Sequence, residues 1–299
     1  MSDIRIGISG WRYAPWRGDF YPKGLPQRRE LEFASREVNS IEINGSFYGL
    51  QTPQRYANWY ADTPDDFVFS VKAPRYITHV RRLRDIAQPL ANFFASGPLQ
   101  LKDKLGPILW QFPPSFAFDA QLFRDFLAQL PQDTEQAHDC ALHAEARLHV
   151  PGYLGAAPGR ALRHAVEIRN HSFLCPAFVE LLRKYHVALV VADTAGKWPY
   201  AEDITADFLY LRLHGDVKLY TSGYSPQALL HWQTRIEAWT AGKQPVDARL
   251  IDPEHTPAKR QRDLYCYFDN DVKVRAPYDA RHLLEGLGRL PQRRQGELA

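Results

Sequence analysis

The sequence predicts one α/β domain folded as a parallel eight-stranded (β/α) barrel of the TIM type, and three observations support this prediction. Eight short apolar runs alternate with helical patterns along the 299 residues, as they do in parallel α/β folds. A closed barrel takes about 250 residues, and two irregular stretches, at about 131–164 and 242–262, account for the excess. Several runs also end in ionisable residues, as expected where strand ends line a site.

The alternative is an open, doubly wound sheet. The first turn of such a sheet more often carries a glycine-rich phosphate loop of the pattern GxGxxG. Residues 7–11, GISGW, do not fit that pattern. We therefore expect a single barrel domain over residues 1–290, followed by a polar C-terminal tail over residues 291–299.

Four strands are predicted in the N-terminal half of the chain. Alternating apolar residues mark the first strand, and Ser9 and Gly10 end it. Pro53 suits the first turn of a helix, because its ring fixes φ and its missing N–H is not needed there. The predicted strands are 4–8, 38–43, 67–71 and 108–112, and the predicted helices are 25–37, 53–60 and 83–105, the last broken near 97–98.

The C-terminal half supplies the other four strands. Asp119 can cap a helix that runs to Leu130, in which apolar residues recur at core-facing spacing. Residues 131–164 carry several prolines and glycines, and we assign no element to them. The predicted strands are 165–168, 188–192, 208–213 and 263–268, and the predicted helices are 176–184, 226–241 and 277–287.

The run at 208–215, FLYLRLHG, shows the strand alternation most clearly. Leucines occupy one face, and Tyr210, Arg212 and His214 occupy the other. Ionisable groups on apolar strands are costly to bury unless they meet partners, so we expect the strand ends to converge on one polar site. The strand-end residues predicted to form it are Ser9, Glu42, Asn44, Lys72, Gln111, Glu167, Arg169, His171, Asp193, Arg212, His214 and Asn270.

Four of these residues are candidates for catalysis. Glu42 and Glu167 end different strands, and buried carboxylates in different environments can divide into acid and base roles. Asp193 and His214 could orient or transfer a proton. The alternative is that each glutamate pairs with an arginine such as Arg212 for structure, since ion pairs and active sites perturb pKa values alike.

Cationic side chains are dense at the same strand ends, which favours a small anionic ligand. We expect a phosphorylated or otherwise anionic molecule, sugar-like or derived from a nucleotide, on which an enzyme acts by hydrolysis or isomerisation. Aromatic residues could stack on its ring, and amides could hold its hydroxyls. The predicted ligand-binding residues are Ser9, Trp11, Asn44, Tyr48, Lys72, Gln111, Arg169, His171, Arg212 and Asn270.

Two other ligands are considered. Glu42, Glu167, Asp193 and His214 could together bind a divalent metal, but no HxH, HxxxH or DxH motif supports it. A metal is therefore not favoured, and the cofactor is unknown. The alternative partner is nucleic acid, because arginines and aromatics interleave near the strand ends. The site would then accept a single-stranded or flipped nucleotide, with or without cleavage of a phosphodiester.

Composition sets the remaining expectations. The net charge is +3, which is too small to indicate nucleic acid by itself. The N-terminal residues enter a strand almost at once, so we expect no secretory signal, and no apolar run suits a membrane span. The three cysteines are scattered without metal-ligand spacing. Together these features favour a cytoplasmic protein with no membrane partner.

Seven segments spread over nearly the whole chain resemble the YecE-like family, a bacterial group described as a domain of unknown function. The resemblance implies an eight-stranded α/β barrel and implies no activity. The chain departs from the family pattern mainly at 131–164. The segments are GISGWRYAPWRGDFYP at 7–22, VNSIEINGSFYGL at 38–50, FVFSVKAPRYITH at 67–79, LGPILWQFPPSF at 105–116, VEIRNHSF at 166–173, LYLRLHG at 209–215 and YCYFDND at 265–271.

Overall fold

Eight parallel strands, β1 to β8, pair in chain order, and β8 pairs with β1 to close the barrel. The computed structural model describes residues 2–148, 157–255 and 257–291. The predicted fold class is confirmed. The strands are β1 Ile4–Ser9, β2 Ser40–Ile43, β3 Val68–Lys72, β4 Leu105–Gln111, β5 His164–Glu167, β6 Ala188–Asp193, β7 Phe208–Leu213 and β8 Asp263–Phe268.

Helices connect successive strands on the outside of the barrel. They are α1 Glu30–Glu37, α2 Gly45–Tyr48, α3 Pro53–Ala61, α4 Ala87–Ala95, α5 Ala120–Gln129, α6 Thr134–Leu142, α7 Pro176–Lys184, α8 Pro226–Thr240 and α9 Ala276–Gly286. The helix N-termini follow the sequence signals: Asp119 accepts a hydrogen bond from the Leu122 N–H, and Ser225 accepts one from the Ala228 N–H. None of the described helices is long and apolar enough to cross a membrane.

Buried apolar side chains form two layers, one on each side of the barrel wall. The larger layer lies between the strands and the helices. The smaller one fills the barrel interior and includes Leu109, Ala165, Val190, Tyr210 and Tyr267. Because side chains alternate along a strand, these residues identify the inward-facing positions of β4 to β8.

The structure corrects three of the predicted elements. The segment 131–164 contains a helix, α6, whose N-cap Asp133 accepts a hydrogen bond from the Gln136 N–H; residues 149–156 of that segment lie outside the described ones. The predicted helix 83–105 is shorter, because a 3₁₀ segment from Pro98 to Lys104 follows α4. Strand β4 also begins earlier than predicted, since Pro107 is accommodated where the register of β3 and β4 shifts.

The second irregular stretch, 242–262, contains no helix or strand among its described residues. Two buried acidic residues hold its backbone. Glu202 accepts a hydrogen bond from the Arg249 N–H, and Asp203 accepts bonds from the N–H groups of Ile251 and Asp252. Of the predicted polar tail, residues 292–299 lie outside the described residues.

Candidate functional site

A buried polar cluster occupies the barrel interior at the C-terminal ends of the strands, directly above the apolar layer. Its side chains occupy the next inward-facing positions along the strands, two residues beyond the apolar ones, as Arg212 follows Tyr210. The site of a barrel enzyme lies at this end. We call it the mouth cluster, and it consists of Ser9, Glu42, Lys72, Gln111, Glu167, Arg169, Arg212, His214 and Asp269.

Arg212 is the centre of the mouth cluster, and its side chain is fully buried. Its Nε and Nη2 atoms donate to the two carboxylate oxygens of Glu42, at 3.0 and 2.9 Å. Its Nη1 atom donates to Glu167 Oε2 at 2.6 Å, and its Nη2 atom donates to Asp269 Oδ2 at 3.0 Å. The planar guanidinium group therefore joins three carboxylates, from β2, from β5 and from the residue that follows β8.

These contacts fix the ionisation of the cluster. Burial alone would raise the pKa of Glu167, but Arg169 and Arg212 hold that pKa well below its usual range. Asp269 behaves in the same way, because burial opposes the lowering of its pKa and Arg212 with His214 outweigh it. Burial would lower the pKa of Arg212, whereas Glu42 and Glu167 raise it well above the ordinary value. Glu167, Asp269 and Arg212 are therefore charged at neutral pH.

Two hydroxyl groups donate hydrogen bonds to the Glu42 carboxylate. The Tyr210 hydroxyl donates to Glu42 Oε2 at 2.6 Å and lies 2.7 Å from Ser70 Oγ. The Ser9 hydroxyl donates to Glu42 Oε1 at 2.8 Å. Both oxygens of this buried carboxylate are thus hydrogen-bonded, which is what burial of a charge requires.

Arg169 lies at the top of the cluster and is partly exposed. Its Nε atom donates to Glu167 Oε1 at 2.8 Å, where Gln111 Nε2 also donates at 2.9 Å. Its guanidinium group lies 3.7 Å from the centre of the Trp198 ring, which is a cation–π contact. Its Nη2 atom lies 3.5 Å from the Tyr220 hydroxyl, and its Nη1 atom makes no hydrogen bond with any described residue.

Lys72, at the end of β3, is 7% exposed. Its ammonium group lies 4.2 Å from the centre of the Phe47 ring and makes no hydrogen bond or ion pair within the described ranges. Burial, and then the charge of Arg212, lower the pKa of Lys72 to about 8, although Glu42, Glu167 and Asp269 oppose the shift. Lys72 is thus a cation of the cluster that has acidic neighbours but is not in contact with them.

The structure adds a histidine that was not among the predicted site residues. A π-helical turn, Tyr76–Val80, follows β3 and carries His79 to the mouth, where its ring packs edge-on against Phe47. Burial, together with Arg75, Lys72 and Arg169, lowers the pKa of His79 to about 4. The His79 ring is therefore neutral at neutral pH, and Arg75, Lys72 and Arg169 place positive charge around it on one side of the mouth.

Two acidic residues after β8 were also missed. Asp269 completes the ring around Arg212, and its Oδ2 atom lies 2.9 Å from His214 Nδ1. Burial and then Asp269 raise the pKa of Asp271 to about 6. Strand alternation could have identified Asp269. Tyr265 and Tyr267 both face inward, so position 269 faces inward and position 270 faces outward.

The predicted residue Asn270 accordingly has another role. It is buried, and its Nδ2 atom donates to the Ser222 carbonyl oxygen and to Asp279 Oδ2. Asp193 also faces away from the barrel interior, since Ala192 faces inward, and it accepts a hydrogen bond from the Tyr224 hydroxyl at 3.0 Å. These two residues brace the loops that follow β7 and β8, so the geometry does not place them in the mouth cluster.

Four further predicted residues lie around the cluster rather than in it. Trp11 is buried against Trp59, with ring centres 5.4 Å apart. His171 is exposed and makes no hydrogen bond or ion pair with the cluster in the described part of the chain. Asn44 is half-buried near Tyr13. Tyr48 is 75% exposed and packs on Phe47 at the rim.

Two cavities lie away from the mouth cluster. One, of about 950 Å³, opens at the N-terminal ends of β1 to β3, beside Arg5, Asp66 and Arg281. The other, of about 690 Å³, lies between α8 and α9. Neither cavity is lined by the charged network or by Lys72, the lysine with the lowered pKa. We therefore take the mouth cluster as the candidate site because of its chemistry and not because of a cavity volume. Within the described ranges, no group of three histidine, cysteine or acidic side chains is arranged to hold a metal ion.

Comparison with curated proteins gives relatives of unassigned activity. The chain is 31% identical over 121 residues to the UPF0759 protein YunF of Bacillus subtilis, a match that covers 38% of the chain and 41% of YunF. It is 30% identical over 113 residues to the UPF0759 protein YecE of Escherichia coli K12, covering 38% of the chain and 39% of YecE. The chain thus spans about two fifths of the length of these relatives in each match.

Solved structures share the fold over almost the full length. A DUF72 family protein from Thermotoga maritima superposes with a TM-score of 0.71 and 23% identity, covering 96% of this chain and 99% of that one. A DUF72 family protein from Enterococcus faecalis gives a TM-score of 0.66 at 16% identity, covering 95% of both chains. The family described as "Protein of unknown function DUF72" matches residues 5–297. The chain therefore belongs to the DUF72 family.

Proposed function

We propose that this barrel is an enzyme that acts at its mouth cluster on a small anionic, sugar-like substrate by proton transfer. One observation carries the proposal: the Lys72 ammonium group at the mouth has no carboxylate in contact with it, and Arg169 uses its Nε atom for its hydrogen bond to Glu167. A cation buried without a partner is costly, and an anionic ligand is the partner that would remove the cost.

The side chains divide into binding and proton-transfer roles. Arg169 holds the anion, and the half-buried ring of Trp198 behind it keeps the guanidinium plane fixed. Lys72 transfers a proton, because a pKa of about 8 leaves both of its forms populated near neutral pH. Asp271, whose pKa is raised to about 6, is the partner acid.

This division differs from the predicted pairing of Glu42 and Glu167 as acid and base. Glu167 is ionised because Arg169 and Arg212 hold its pKa down, so it is not a proton donor. Glu42 is fully engaged by Arg212, Tyr210 and Ser9. The glutamates instead stabilise positive charge that develops beside them, and of the two predicted reaction classes this arrangement favours isomerisation.

The binding role is tested by calorimetric titration with inorganic phosphate and with glycerol phosphate. Arg169→Lys keeps the charge but loses the stacked fork, and we expect it to weaken binding by roughly ten-fold. The matched control is Arg163→Lys, at the opposite end of β5, where the arginine stacks on Phe208 and pairs with Asp263. Equal affinities in the two variants, or no binding by the unaltered protein, would contradict the proposal.

A nucleic-acid function is the second candidate, and exposed rings at the rim favour it. Tyr48 is 75% exposed, and Tyr76, which begins the turn that carries His79, is 51% exposed. Exposed aromatic rings beside cations suit stacking of unpaired bases. Titration of short single-stranded DNA and RNA at two salt concentrations tests it. Binding that weakens steeply with salt and is reduced by Tyr48→Ala would support this candidate.

A further inference from the structure

Two lysines are buried in the described chain, and they differ in what surrounds the ammonium group. Lys104 donates to the carbonyl oxygens of Tyr60 and Thr63, at 2.7 and 2.8 Å. Lys72 has no such acceptor and faces the Phe47 ring and the mouth. A structural lysine is hydrogen-bonded as Lys104 is, so the position of Lys72 calls for another explanation.

The environment of Lys72 favours the neutral amine, which is the nucleophilic form. Burial and Arg212 lower its pKa from 10.5 to about 8. At about pH 7, roughly a tenth of Lys72 is therefore neutral, which is about 300-fold more than for a lysine with the ordinary pKa. The Lys72 residue is also 7% exposed and ends β3 at its C-terminal end, on the side of the barrel where the mouth lies.

We propose that Lys72 forms an imine with an aldehyde or ketone, so that the substrate of this barrel is a small anionic carbonyl compound. This inference rests on the proposed function, because it uses the same mouth and names the reactive group of the same substrate. Lys72 is then a covalent catalytic residue instead of a proton-transfer residue, proton transfer falls to Asp271, and Arg169 holds the anionic end of the substrate.

The step balances without any further reactant. The nitrogen lone pair attacks the carbonyl carbon, a C–N bond forms, and the π electrons of the C=O bond move to oxygen. Two of the three ammonium protons leave with that oxygen as water. The product is an iminium ion that keeps the single positive charge of the ammonium group. Glu42, Glu167 and Asp269, whose charges already act on Lys72, stabilise this cation.

An iminium ion at Lys72 would also promote the proton transfer proposed above. Its positive charge draws electrons from the neighbouring carbon, so a proton on that carbon becomes easier to remove. Asp271, whose pKa is raised to about 6, is the group that accepts this proton. The imine therefore links the lysine to the isomerisation class favoured above.

Reductive trapping tests the proposal. The full chain is incubated near neutral pH with glycolaldehyde phosphate or dihydroxyacetone phosphate and cyanoborohydride, whose hydride converts an iminium ion to a stable secondary amine. Peptide mapping by mass spectrometry locates the label. We expect Lys72 to be labelled at least about ten-fold faster than other lysines. The internal controls are Lys104, which is buried and hydrogen-bonded, and Lys197, which is exposed beside Trp198.

Two further measurements keep the test decisive. The labelling rate of Lys72 should reach half its maximum near pH 8, whereas exposed lysines should need a higher pH. In the Lys72→Met variant, the fast label at position 72 should be absent, while the labelling rate of Lys197 should be unchanged. If Lys72 is not labelled by either compound, the imine is wrong. Phosphate binding that still depends on Arg169 would then leave the proposed function standing, and loss of that binding would remove both.

Discussion

Lys72 differs from the other cations of the mouth cluster in having no carboxylate within hydrogen-bonding distance. Arg212 is matched by three carboxylates and Arg169 by one. Residues placed for chemistry are often poor for stability, because their burial is not compensated. Lys72 should therefore reduce the stability of the fold at neutral pH.

Replacing Lys72 by methionine should raise the free energy of unfolding by an amount that depends on pH. The folded pKa is about 8 and the ordinary value is 10.5. Between these values the unfolded chain holds a proton that the folded chain has lost, so the lysine destabilises the fold below pH 8, and this effect vanishes as the pH rises towards 10.5. We expect Lys72→Met to stabilise by on the order of 2 kcal/mol at neutral pH.

Urea denaturation of both proteins over this pH range measures the difference. Lys104→Met is the control, because it removes a buried amine that donates hydrogen bonds, and it should destabilise. A Lys72→Met variant that is less stable than the unaltered protein at neutral pH would show that the ammonium group is a structural cation.

At the scale of the strand, alternation predicted most of the mouth cluster and also explains its errors. Tyr210, Arg212 and His214 were placed together because β7 is long enough for its inward face to be recognised. Strand β5 is short, yet Glu167 and Arg169 still follow its alternation. Where a strand ends and a turn begins, the periodicity stops, and sequence alone does not determine which side chain turns inward.

Two residues illustrate this limit. Strand β8 has its predicted bounds, but its inward face was not identified: Tyr265 and Tyr267 face inward, so Asp269 lies on the inward face and Asn270 on the other one. His79 was missed for a different reason, since the π-helical turn that brings it to Phe47 leaves no periodic signal. The barrel itself was predictable because eight strand–helix units repeat over the whole chain.

Gly7 is the residue on which the pairing of β1 with β2 depends. A Cβ atom at this position would lie 1.7 Å from the carbonyl oxygen of Ser40, which is far inside contact distance. The same pairing aligns Ser9 with Glu42 in the mouth cluster. Gly7→Ala should therefore separate the two strands and destabilise the protein by at least about 3 kcal/mol.

Thermal unfolding followed by circular dichroism checks this expectation. Gly49→Ala is the matched control, because its new methyl group meets no atom within 4 Å and its backbone is extended. The control should melt close to the unaltered protein. A Gly7→Ala variant that melts with it would mean that β1 can move away from β2 without cost.

At the scale of the whole molecule, Arg212 connects parts of the barrel that are far apart in the sequence. Its carboxylate partners belong to β2, β5 and the residue after β8. Removing one member of a buried ionic network leaves the others uncompensated, which is costlier than the network's own net contribution. The fold and the site should therefore fail together when this cation is lost.

Arg212→Met tests this connection. It leaves Glu42 and Glu167 buried without their shared cation, and we expect a loss of about 3–5 kcal/mol in the free energy of unfolding. Arg212→Lys keeps one charge but cannot reach three carboxylates, so it should fall between Arg212→Met and the unaltered protein. Equal urea midpoints for all three proteins would show that the carboxylates are protonated or hydrated in the fold, contrary to the lowered pKa of Glu167.

The central position of Arg212 also has a consequence for synthesis of the chain. Glu42 leaves the ribosome 170 residues before the arginine that neutralises it. At about 5–20 residues per second this interval is roughly 10–30 s. During that time an enclosed barrel interior would hold carboxylates without their cation, so the growing chain must keep them in water. Ribosome-bound intermediates that end before β7 are therefore expected to stay open, and the interior closes only after Arg212 has emerged.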